Sequence, residues 1–533
     1  ILVVGSLTYM NCLENGFTFD DRAIIVHNSV IRSLDLSQIF SSSYWPDNPE
    51  YGLYRPVTTL SYALNYALHD LAPKGYHLTN LILHLLNGNL VFWIVFAVLG
   101  QALPAGVIAL MFVVHPVQSE AVNGIVGRAD LLAVFWILLA WILYIGASLT
   151  RGKVRGWFYG GSLGATLLAC FSKEIGVLVV PVLVLYDLYM NLESGNSGTF
   201  QRFFKQDVLR YIPYGLVVIL YLGIRHGIMG SILLPGVPSY LDNPLAYLSS
   251  GERWMTSVSI IGMYAWLLIY PLKLSADYSY HQIQEVSSVL SGDFLFGLLI
   301  MISVLGLIIM SMKKQIPVPV GFGLAWLGVL LFPVSNLMFP IGTIMAERLL
   351  YLPSLGFYFL VGLGFRFLLK RRLEKWVVPV AALLLLGLSV RTNARNADWK
   401  DNSALFSSAL QVVPGSAKVH LNLGGELQDQ GDLQGAFDSY RRAIEIYPEY
   451  AEAHYNIGVI FQRDRRSELA LQSYYRALKA DSLHVSSLVN LGVMLGKEGD
   501  NEGAAAAFSK VLARKPNHLQ ALYNFGLANQ GLG

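Results

Sequence analysis

Two adjacent carboxylates, Asp20 and Asp21, come directly after the first apolar run of the chain. A carboxylate pair at a membrane surface can supply a general base, because one group stays ionised while its neighbour orients or binds. Acid pairs are also common on solvated surfaces, so an isolated pair would indicate only a polar turn. The position beside an apolar segment favours a catalytic role for Asp20 and Asp21.

Ionisable side chains also gather between two later apolar runs. His115, Glu120, Arg128 and Asp130 flank or enter apolar segments there. Charged groups at such depth are costly, and they are expected either to serve function or to pair with one another. Both interpretations stay open on the sequence. The spacing of His115 and Glu120 matches no metal motif, so the sequence predicts no metal site.

The ends of two further apolar segments carry the pairs Lys173–Glu174 and Glu347–Arg348. Arg348 is the strongest candidate for binding an anion, because a guanidinium presents a planar fork that suits phosphate and does not deprotonate. The alternative is a salt bridge from Arg348 to its neighbour Glu347 or to an acid of the first loop.

Composition places these residues in a membrane protein. Of 533 residues, 54% are hydrophobic and only 14% are charged, and the mean hydropathy is +0.48, whereas soluble domains are about 25% charged. The net charge of +3 is too small to argue for nucleic acid as a partner. The two cysteines, Cys12 and Cys170, exclude a disulfide framework and a cysteine metal site.

Apolar runs recur up to about residue 391, and we count twelve candidates for membrane spans. The basic clusters between them are Arg151–Arg155, Arg202–Arg210, Lys313–Lys314 and Lys370–Lys375. All four clusters lie on the cytoplasmic side, as the positive-inside rule requires, if the run Trp254–Leu272 does not cross. We therefore predict a domain at 1–391 with about 11 spans and a re-entrant or interfacial helix.

A second domain, predicted at 396–533, repeats every 34 residues. The repeating columns are Gly424, Gly458, Gly492 and Gly526; Ala436, Ala470 and Ala504; and Tyr440, Tyr474 and Phe508. This period is typical of tetratricopeptide repeats, in which small residues lie where two helices cross closely. We predict repeats at 417–450, 451–484 and 485–518 and a partial repeat at 519–533, so that the whole chain is all-α and ends in an α-solenoid. The chain begins at Ile1 and stops inside a repeat, which we expect of a piece of a longer protein.

Several motifs, in this order, resemble the transmembrane and tetratricopeptide repeat-containing O-mannosyltransferases. They are Phe19-Asp20-Asp21, Tyr54-Arg55-Pro56, the run from His115 to Asp130, Lys173-Glu174, Pro333-Val334-Ser335-Asn336, and the run from Ala346 to Pro353. The resemblance implies a C-type glycosyltransferase (GT-C) membrane fold. It also implies transfer of mannose from dolichyl or another polyprenyl phosphate to a Ser or Thr hydroxyl of a protein outside the cytoplasm.

The resemblance gives the candidate residues roles. The acid pair Asp20 and Asp21 becomes the catalytic site, and we expect the donor phosphate and sugar to be bound by Arg348, His115, Arg128, Glu120 and Arg55. The donor is a lipid-linked sugar of the membrane and no bound cofactor is expected. The run from Tyr54 to Tyr66 looks like that of bacterial relatives, and the chain has no Asn-x-Ser/Thr sequon. These features favour a bacterial inner membrane with periplasmic repeats, or, in a eukaryote, the endoplasmic reticulum with lumenal repeats.

A further column gives the repeats a function. Two residues before each repeat glycine lie Asn422, Asn456, Asn490 and Asn524. This position is on the first helix of a repeat and faces the concave surface, and an amide can pair with any peptide backbone. We expect the column to bind the acceptor protein. Alternatively, these asparagines are tolerated polar residues or bond to a neighbouring repeat.

Two other functions compete with the enzyme. A non-catalytic membrane-anchored scaffold could display the repeats as a binding surface, but it would not need Asp20, Arg55 and Arg348 near one membrane face. A transporter would place charges near the midplane and show internal repeats of spans, and neither is visible. The sequence therefore favours a lipid-dependent protein O-glycosyltransferase.

Overall fold

The computed structural model describes residues 1–46, 49–194, 208–232 and 236–533, and all the regular elements in these ranges are helices. This confirms the all-helical class predicted from the sequence. The chain divides into two compact units. The first unit contains residues 1–276 and 284–405, and the second contains residues 277–283 and 406–533.

The first unit consists of helices joined by turns and by a few longer loops. They are α1 (Leu2–Tyr9), α2 (Leu36–Ser41), α3 (Pro56–His69), α4 (Pro73–Leu99), α5 (Ala102–Val114), α6 (Ser119–Asn123), α7 (Arg128–Leu149), α8 (Gly152–Ser172), α9 (Val179–Glu193), α10 (Ile212–Met229), α11 (Ser250–Ile269), α12 (Gly292–Met312), α13 (Val318–Leu331), α14 (Ser354–Lys370) and α15 (Glu374–Ala397). Local sequence sets the bounds of α4, since Pro73 fits its first turn and Gly100 ends it in the left-handed region.

Six helical segments are long and apolar enough to cross a bilayer, and the bent pair of α5 and α6 makes a seventh if it is one span. The six are Pro73–Leu99, Ile125–Leu149, Glu174–Glu193, Val208–Met229, Gly292–Met312 and Glu374–Ala397. The chain is thus a multi-pass membrane protein, but the predicted count of about 11 spans is not confirmed. Three other helices do not meet both criteria for a span. Helix α8 begins with basic residues, and α13 and α14 have only 14 and 17 residues.

The structure also defines two segments that the sequence analysis had assigned in another way. The run Trp254–Leu272, predicted to be re-entrant or interfacial, forms α11, which is not among the six apolar segments. The predicted link between the domains, Asn393–Asp401, is helical as far as Ala397, because α15 continues through it. The basic residues Arg202 and Lys205 lie outside the described residues.

The second unit contains the predicted repeats. After α16 (Asn402–Val412), which includes the border between the units, come α17 (Ala417–Asp429), α18 (Leu433–Ile446), α19 (Ala451–Arg463), α20 (Ser467–Ala480), α21 (Val485–Lys497), α22 (Asn501–Arg514) and α23 (Leu519–Leu532). Each repeat is a helix pair, and α23 is the first helix of a fourth. Three repeats place a glycine of the first helix against an aromatic ring of the second, in the pairs Gly424–Tyr440, Gly458–Tyr474 and Gly492–Phe508. The repeat interpretation is confirmed.

This packing predicts opposite effects for one substitution at two positions of the glycine column. A Cβ at Gly458 would lie 2.6 Å from the ring of Tyr474, whereas a Cβ at Gly526 meets nothing within 4 Å. Gly458→Ala should therefore lower the stability of the repeats by about 1–3 kcal/mol through overpacking. Gly526→Ala should raise it by up to about 1 kcal/mol, because alanine favours the helix. Thermal unfolding of both variants by circular dichroism checks this, and equal shifts would contradict the close helix crossing.

Candidate active site

Charged side chains of the first unit gather where several of its helices begin or end. Arg55 lies at the start of α3, Asp130 in the first turn of α7, and Lys173 directly after α8. Arg348 belongs to a short 3₁₀ helix, Glu347–Leu350, that precedes α14. Residues far apart in sequence thus meet at one end of the helices, and they form ion pairs there.

The first ion pair joins Arg55 to Glu174. The Nη2 of Arg55 donates to Glu174 Oε2 at 2.9 Å, and its Nε lies 3.2 and 3.3 Å from the two carboxylate oxygens. The guanidinium also lies over the ring of Tyr44, 4.8 Å from the ring centre. Burial opposes the charge of Arg55, yet the Glu174 carboxylate outweighs this cost and holds the pKa of Arg55 above its ordinary value. The carboxylate of Glu174 therefore favours the charged form of Arg55.

The second pair joins Lys173 to Asp130. The Lys173 ammonium donates to both carboxylate oxygens of Asp130 at 2.7 Å, and both side chains are largely buried. Burial lowers the pKa of Lys173, Asp130 raises it, and the positive charges of Arg55 and Arg348 lower it further. Lys173 therefore connects the ion pairs into one charged cluster.

The third pair joins Arg348 to Glu120. Glu120 accepts from the backbone N–H of Arg348 at 2.8 Å and from its Nη1. Glu120 is 4% exposed, whereas the Arg348 side chain is 35% exposed, the largest fraction among the members of the three ion pairs. Burial opposes the charge of Arg348, but Glu120, Asp130 and Asp20 outweigh it and hold its pKa above the ordinary value. Arg348 thus offers part of its fork to a ligand, and Asp20 lies close enough to act on it.

Asp21 has a structural position. It is fully buried, and its carboxylate accepts from the backbone N–H groups of Thr18 at 3.0 Å, Val126 at 2.9 Å and Ile125 at 3.4 Å. These contacts tie the first loop to the 3₁₀ helix that begins at Ile125. Burial raises the pKa of Asp21 to about 7, although the three hydrogen bonds work in the opposite direction.

Asp20 differs from its neighbour because it is only half-buried. The residue before it, Phe19, has a φ of +51°, and its N–H donates to Asn402 Oδ1 at 2.8 Å. The chain therefore turns sharply just before the acid pair, so that the two consecutive carboxylates lie in different surroundings. Of the two predicted catalytic acids, Asp20 is the accessible one.

Two residues predicted to bind the donor lie elsewhere. Arg128 is wholly buried, and its guanidinium donates to Asn80, Asn65 and the carbonyl of Tyr76. Its guanidinium is thus already engaged by acceptors of the protein, and its binding of the donor stays a prediction. His115 is 1% exposed, and both its ring nitrogens are engaged by backbone groups of residues 117 and 268.

Other charged residues were not selected from the sequence as site residues. Lys173, Asp130 and Glu174 complete the cluster, and Arg225 lies buried in α10, where its Nη2 donates to the carbonyl of Gly52 at 3.0 Å. A signal for Arg225 was present, because it is an arginine inside a segment apolar enough to span. The sequence does not indicate what Arg225 contacts, because the contact comes from a distant part of the chain.

The asparagine column lies on the first helices of the repeats, as predicted, and all four side chains are half-buried. Their contacts differ. Asn490 donates to the hydroxyl of Tyr474 at 3.2 Å, Asn524 donates to the carbonyl of Gln520 at 2.9 Å, and the amide nitrogen of Asn422 is buried without a hydrogen-bond partner. Asn490 is thus engaged within the repeats. In the described ranges, no three His, Cys, Asp or Glu residues are close enough to hold a metal ion.

Comparison with known proteins finds family models that match parts of both units. A family model described as "Protein O-mannosyl-transferase TMTC, DUF1736" matches residues 237–305, and models of the tetratricopeptide repeat match residues 426–464, 451–482 and 485–518. The first match covers α11 and the beginning of α12.

Three animal relatives match 83% of the chain. "Protein O-mannosyl-transferase TMTC4" of Mus musculus is 32% identical, and the match covers 65% of its length. "Protein O-mannosyl-transferase F38B6.6" of Caenorhabditis elegans is 31% identical over 61% of its length. "Protein O-mannosyl-transferase TMTC3" of Homo sapiens is 29% identical over 50% of its length. The chain thus spans between half and two thirds of the length of these relatives. By the family model, the repeats and these relatives, the chain is similar over most of its length to the TMTC proteins, which combine transmembrane segments with tetratricopeptide repeats.

Proposed function

We propose that this protein is a membrane glycosyltransferase that moves mannose from a polyprenyl or dolichyl phosphate to Ser or Thr of an acceptor protein. The observation that carries the proposal is the cluster of three ion pairs in which Arg348 stays partly exposed, together with the half-buried Asp20, in a chain whose relatives are named protein O-mannosyl-transferases. An acid and a cation facing the same space are what transfer from a sugar phosphate to a hydroxyl requires.

The reaction exchanges one bond at the anomeric carbon of mannose. The acceptor oxygen bonds to C1 while the bond between C1 and the phosphate oxygen breaks, with inversion at C1. The hydroxyl proton passes to a base, and the electron pair of the broken bond leaves with the lipid phosphate, which gains one negative charge. The site must therefore supply a proton acceptor on one side of C1 and positive charge on the other.

Asp20 takes the role of the base. Asp20 is half-buried, so a hydroxyl can approach it. Asp21 is enclosed, and its carboxylate accepts hydrogen bonds from three backbone N–H groups. Asp21 acts as a positioning residue, because it holds the loop that carries Asp20 against the 3₁₀ helix at Ile125. This division gives the two carboxylates of the pair separate functions.

The positive side of the site consists of Arg348, Lys173 and Arg55. Each is neutralised by one carboxylate, and the pairs of Arg348 and Arg55 each keep a partly exposed member. Charges fixed in a poorly solvated site need little reorganisation when the leaving phosphate gains its charge. Arg348 is the most exposed of the three cations and the one on which Asp20 acts, so we place it next to the reacting bond.

A GT-C-like membrane domain with eleven crossings is supported by the directions of the helices. Asp130 at the start of α7 pairs with Lys173 after α8, and Ser162 in α8 donates to Ala140 in α7, so these helices are antiparallel. By contrast, α1 and α15 are parallel, because Thr8 contacts Ser389 while Asn15 contacts the carbonyl of Asn396. Parallel first and last helices fit an odd number of crossings.

The placement of α11 supports its role as a helix that does not cross. Near its first turn, Trp254 contacts Phe294 at the start of α12, and at its other end the carbonyl of Leu268 accepts from His115. The basic residues Lys153, Lys313 and Lys370 lie at helix ends opposite to those that form the site. Together with the positive-inside rule, this supports a site, and repeats after α15, on the side away from the cytoplasm.

In this arrangement the repeats bind the acceptor protein. Of the asparagine column, Asn490 bonds to a tyrosine of the preceding repeat, whereas the amide nitrogen of Asn422 is buried without a partner. A buried amide without a partner costs about 1–3 kcal/mol, which a peptide carbonyl would remove. The repeats and the active site then share one compartment with the acceptor.

The roles of the two acids predict different outcomes for the same substitution. Asp20→Asn should lower the rate of mannose transfer by about 10²–10⁴-fold, because the proton acceptor is lost, while thermal stability stays near that of the wild type. Transfer from mannosyl phosphoryl polyprenol to an acceptor peptide, followed by mass spectrometry, measures this. Full activity of Asp20→Asn would refute its role as the base.

Asp21→Asn is the matched comparison. One oxygen becomes an NH₂ group that faces backbone N–H donors, so the protein should lose about 1–3 kcal/mol of stability. Burial raises the pKa of Asp21 in the folded state to about 7 from 3.8, so the folded protein holds this proton longer than the unfolded chain does. The contribution to stability is therefore greatest below about pH 4 and is lost as the pH rises to about 7. Melting curves of the variant across this range should lack that loss.

Arg348 should affect turnover through its fork as well as its charge. Arg348→Ala should lower kcat by about 10²–10³-fold, as removal of one fixed group that stabilises developing charge does in other enzymes. Arg348→Lys keeps the charge but not the planar fork, so its kcat should lie between those of the alanine variant and the wild type. Arg151→Ala, at an exposed position directly before α8, serves as the control. Equal kcat values for wild type and Arg348→Ala would make Arg348 structural.

The topology can be tested with single cysteines, because the native Cys12 and Cys170 are buried. An impermeant maleimide applied to right-side-out vesicles should label Gly292→Cys before α12 and Ser467→Cys in the repeats. It should label Lys153→Cys only after the vesicles are opened. All three positions are exposed. Labelling of Ser467→Cys only in opened vesicles would place the repeats in the cytoplasm and contradict the eleven crossings.

A further inference from the structure

Two polar side chains on α10 are buried without the partners that such groups normally have. Tyr221 is 0% exposed and Arg225 is 4% exposed. The hydroxyl of Tyr221 and the Nε of Arg225 have no hydrogen-bond partner among the described residues. Because they are four residues apart in a helix, they lie one above the other on the same face. The two unsatisfied groups therefore point to the same region.

Folding alone does not explain this pair. A buried polar group without a partner is unfavourable, and phenylalanine at position 221 would fill the same space without that cost. An ionisable residue in a segment apolar enough to span the membrane is a candidate for function. Both arguments indicate that the pair meets a ligand.

The charges around the pair indicate an anion. Glu174, Arg225 and Arg55 are the charged groups that act on Tyr221. Glu174 is already paired with Arg55, and no ion pair of Arg225 occurs among the described residues. The guanidinium of Arg225 is held by one contact, from its Nη2 to the carbonyl of Gly52 at 3.0 Å. The region thus has one uncompensated positive charge and two N–H or O–H donors, which suits an oxyanion such as phosphate.

The location indicates that this phosphate belongs to a lipid. The opposite face of α10 exposes Leu216, Ile219 and Leu220, each at least 53% accessible, so the helix is at the edge of the first unit and faces the bilayer. The rings of Tyr54 and Phe171 lie beside Tyr221 and form an apolar wall. A molecule with a phosphate and a long apolar chain would approach Tyr221 and Arg225 from the bilayer beside α10, where its apolar chain is soluble, whereas a soluble anion would have to cross this wall.

We infer that Tyr221 and Arg225, together with Arg55, form a subsite for the phosphate of a polyprenyl carrier at the membrane-facing edge of the active site. The identity of the carrier rests on the proposed function, but the phosphate subsite rests on the contacts of α10. Arg55 belongs both to this subsite and to the charged cluster that contains Lys173 and Arg348. The carrier can therefore keep a phosphate contact as it enters from the bilayer and as it leaves after transfer.

The test is a binding measurement on the purified full chain in detergent micelles. The probe is a polyprenyl phosphate without sugar, and native mass spectrometry gives its Kd. Tyr221→Phe should weaken binding about ten-fold, and Arg225→Gln about ten- to a hundred-fold, as expected for hydrogen bonds to a charged group. The neutral polyprenol should bind wild type and both variants equally, because it lacks the phosphate.

Controls separate ligand binding from folding. His226→Gln changes the exposed neighbour of Arg225 on the same helix turn and should leave the Kd unchanged. Tyr221→Phe removes only a hydroxyl without a partner, so its melting temperature should equal or exceed that of the wild type. An unchanged Kd in a folded Tyr221→Phe and in Arg225→Gln would overturn the subsite.

Two further outcomes distinguish the source of the phosphate and the two proposals. Inorganic phosphate that displaces the lipid at equal concentration would overturn the assignment to a lipid carrier, and failure to displace it supports that assignment. Binding of polyprenyl phosphate that depends on Tyr221, without detectable mannose transfer, would support the subsite and count against the proposed function. Normal transfer with binding independent of Tyr221 and Arg225 would retain the function and reject the subsite.

Discussion

The guanidinium of Arg128 is the contact on which the arrangement of the site depends. It lies at the start of α7, fully enclosed, and it donates to Asn65 in α3 and to Asn80 and the carbonyl of Tyr76 in α4. The ring of Tyr62 packs against it at 4.8 Å. A buried charge is tolerated only when its donors are satisfied, because removal of one partner leaves the full cost of desolvation. Arg128 thus fixes three helices, and the residues at their ends become the walls of the site.

Around this fixed centre, the three ion pairs follow one rule. In each pair one group is deeper than the other, with exposed fractions of 4% and 35% for Glu120 and Arg348, and of 13% and 27% for Arg55 and Glu174. The deeper group cannot lose its partner without a large cost, so the more exposed group is held in place while part of it still faces outward. Such pairs contribute little to net stability, but they present charges in fixed positions. This is the property that stabilisation of a leaving phosphate requires.

The fold of the second unit could be predicted from the sequence because the contacts within a repeat are local. The glycine that packs against Tyr474 is only 16 residues away in the chain, and the same pattern recurs in each repeat. In the membrane unit the sequence shows only a series of apolar runs, and those of α8, α13 and α14 are too charged or too short to be assigned as spans from length and apolarity. The three ion pairs of the site join residues 43 to 228 positions apart, such as Asp130 with Lys173 and Glu120 with Arg348. No local pattern specifies these partners, so the charged residues were found but their pairing was not.

Asp20 and Asp21 show how far adjacent residues of one type can diverge. In the sequence the two are equivalent, and either could be the base. The left-handed conformation of Phe19 turns the chain just before them, with its N–H held by Asn402 from the other end of the unit. One carboxylate is then enclosed by backbone N–H groups while the other is only half-buried. A base must exchange its proton with a substrate, and an enclosed carboxylate cannot do so without leaving its donors. The difference between Asp20 and Asp21 therefore follows from a backbone turn and from a contact across the unit. Composition and residue spacing predict neither of these.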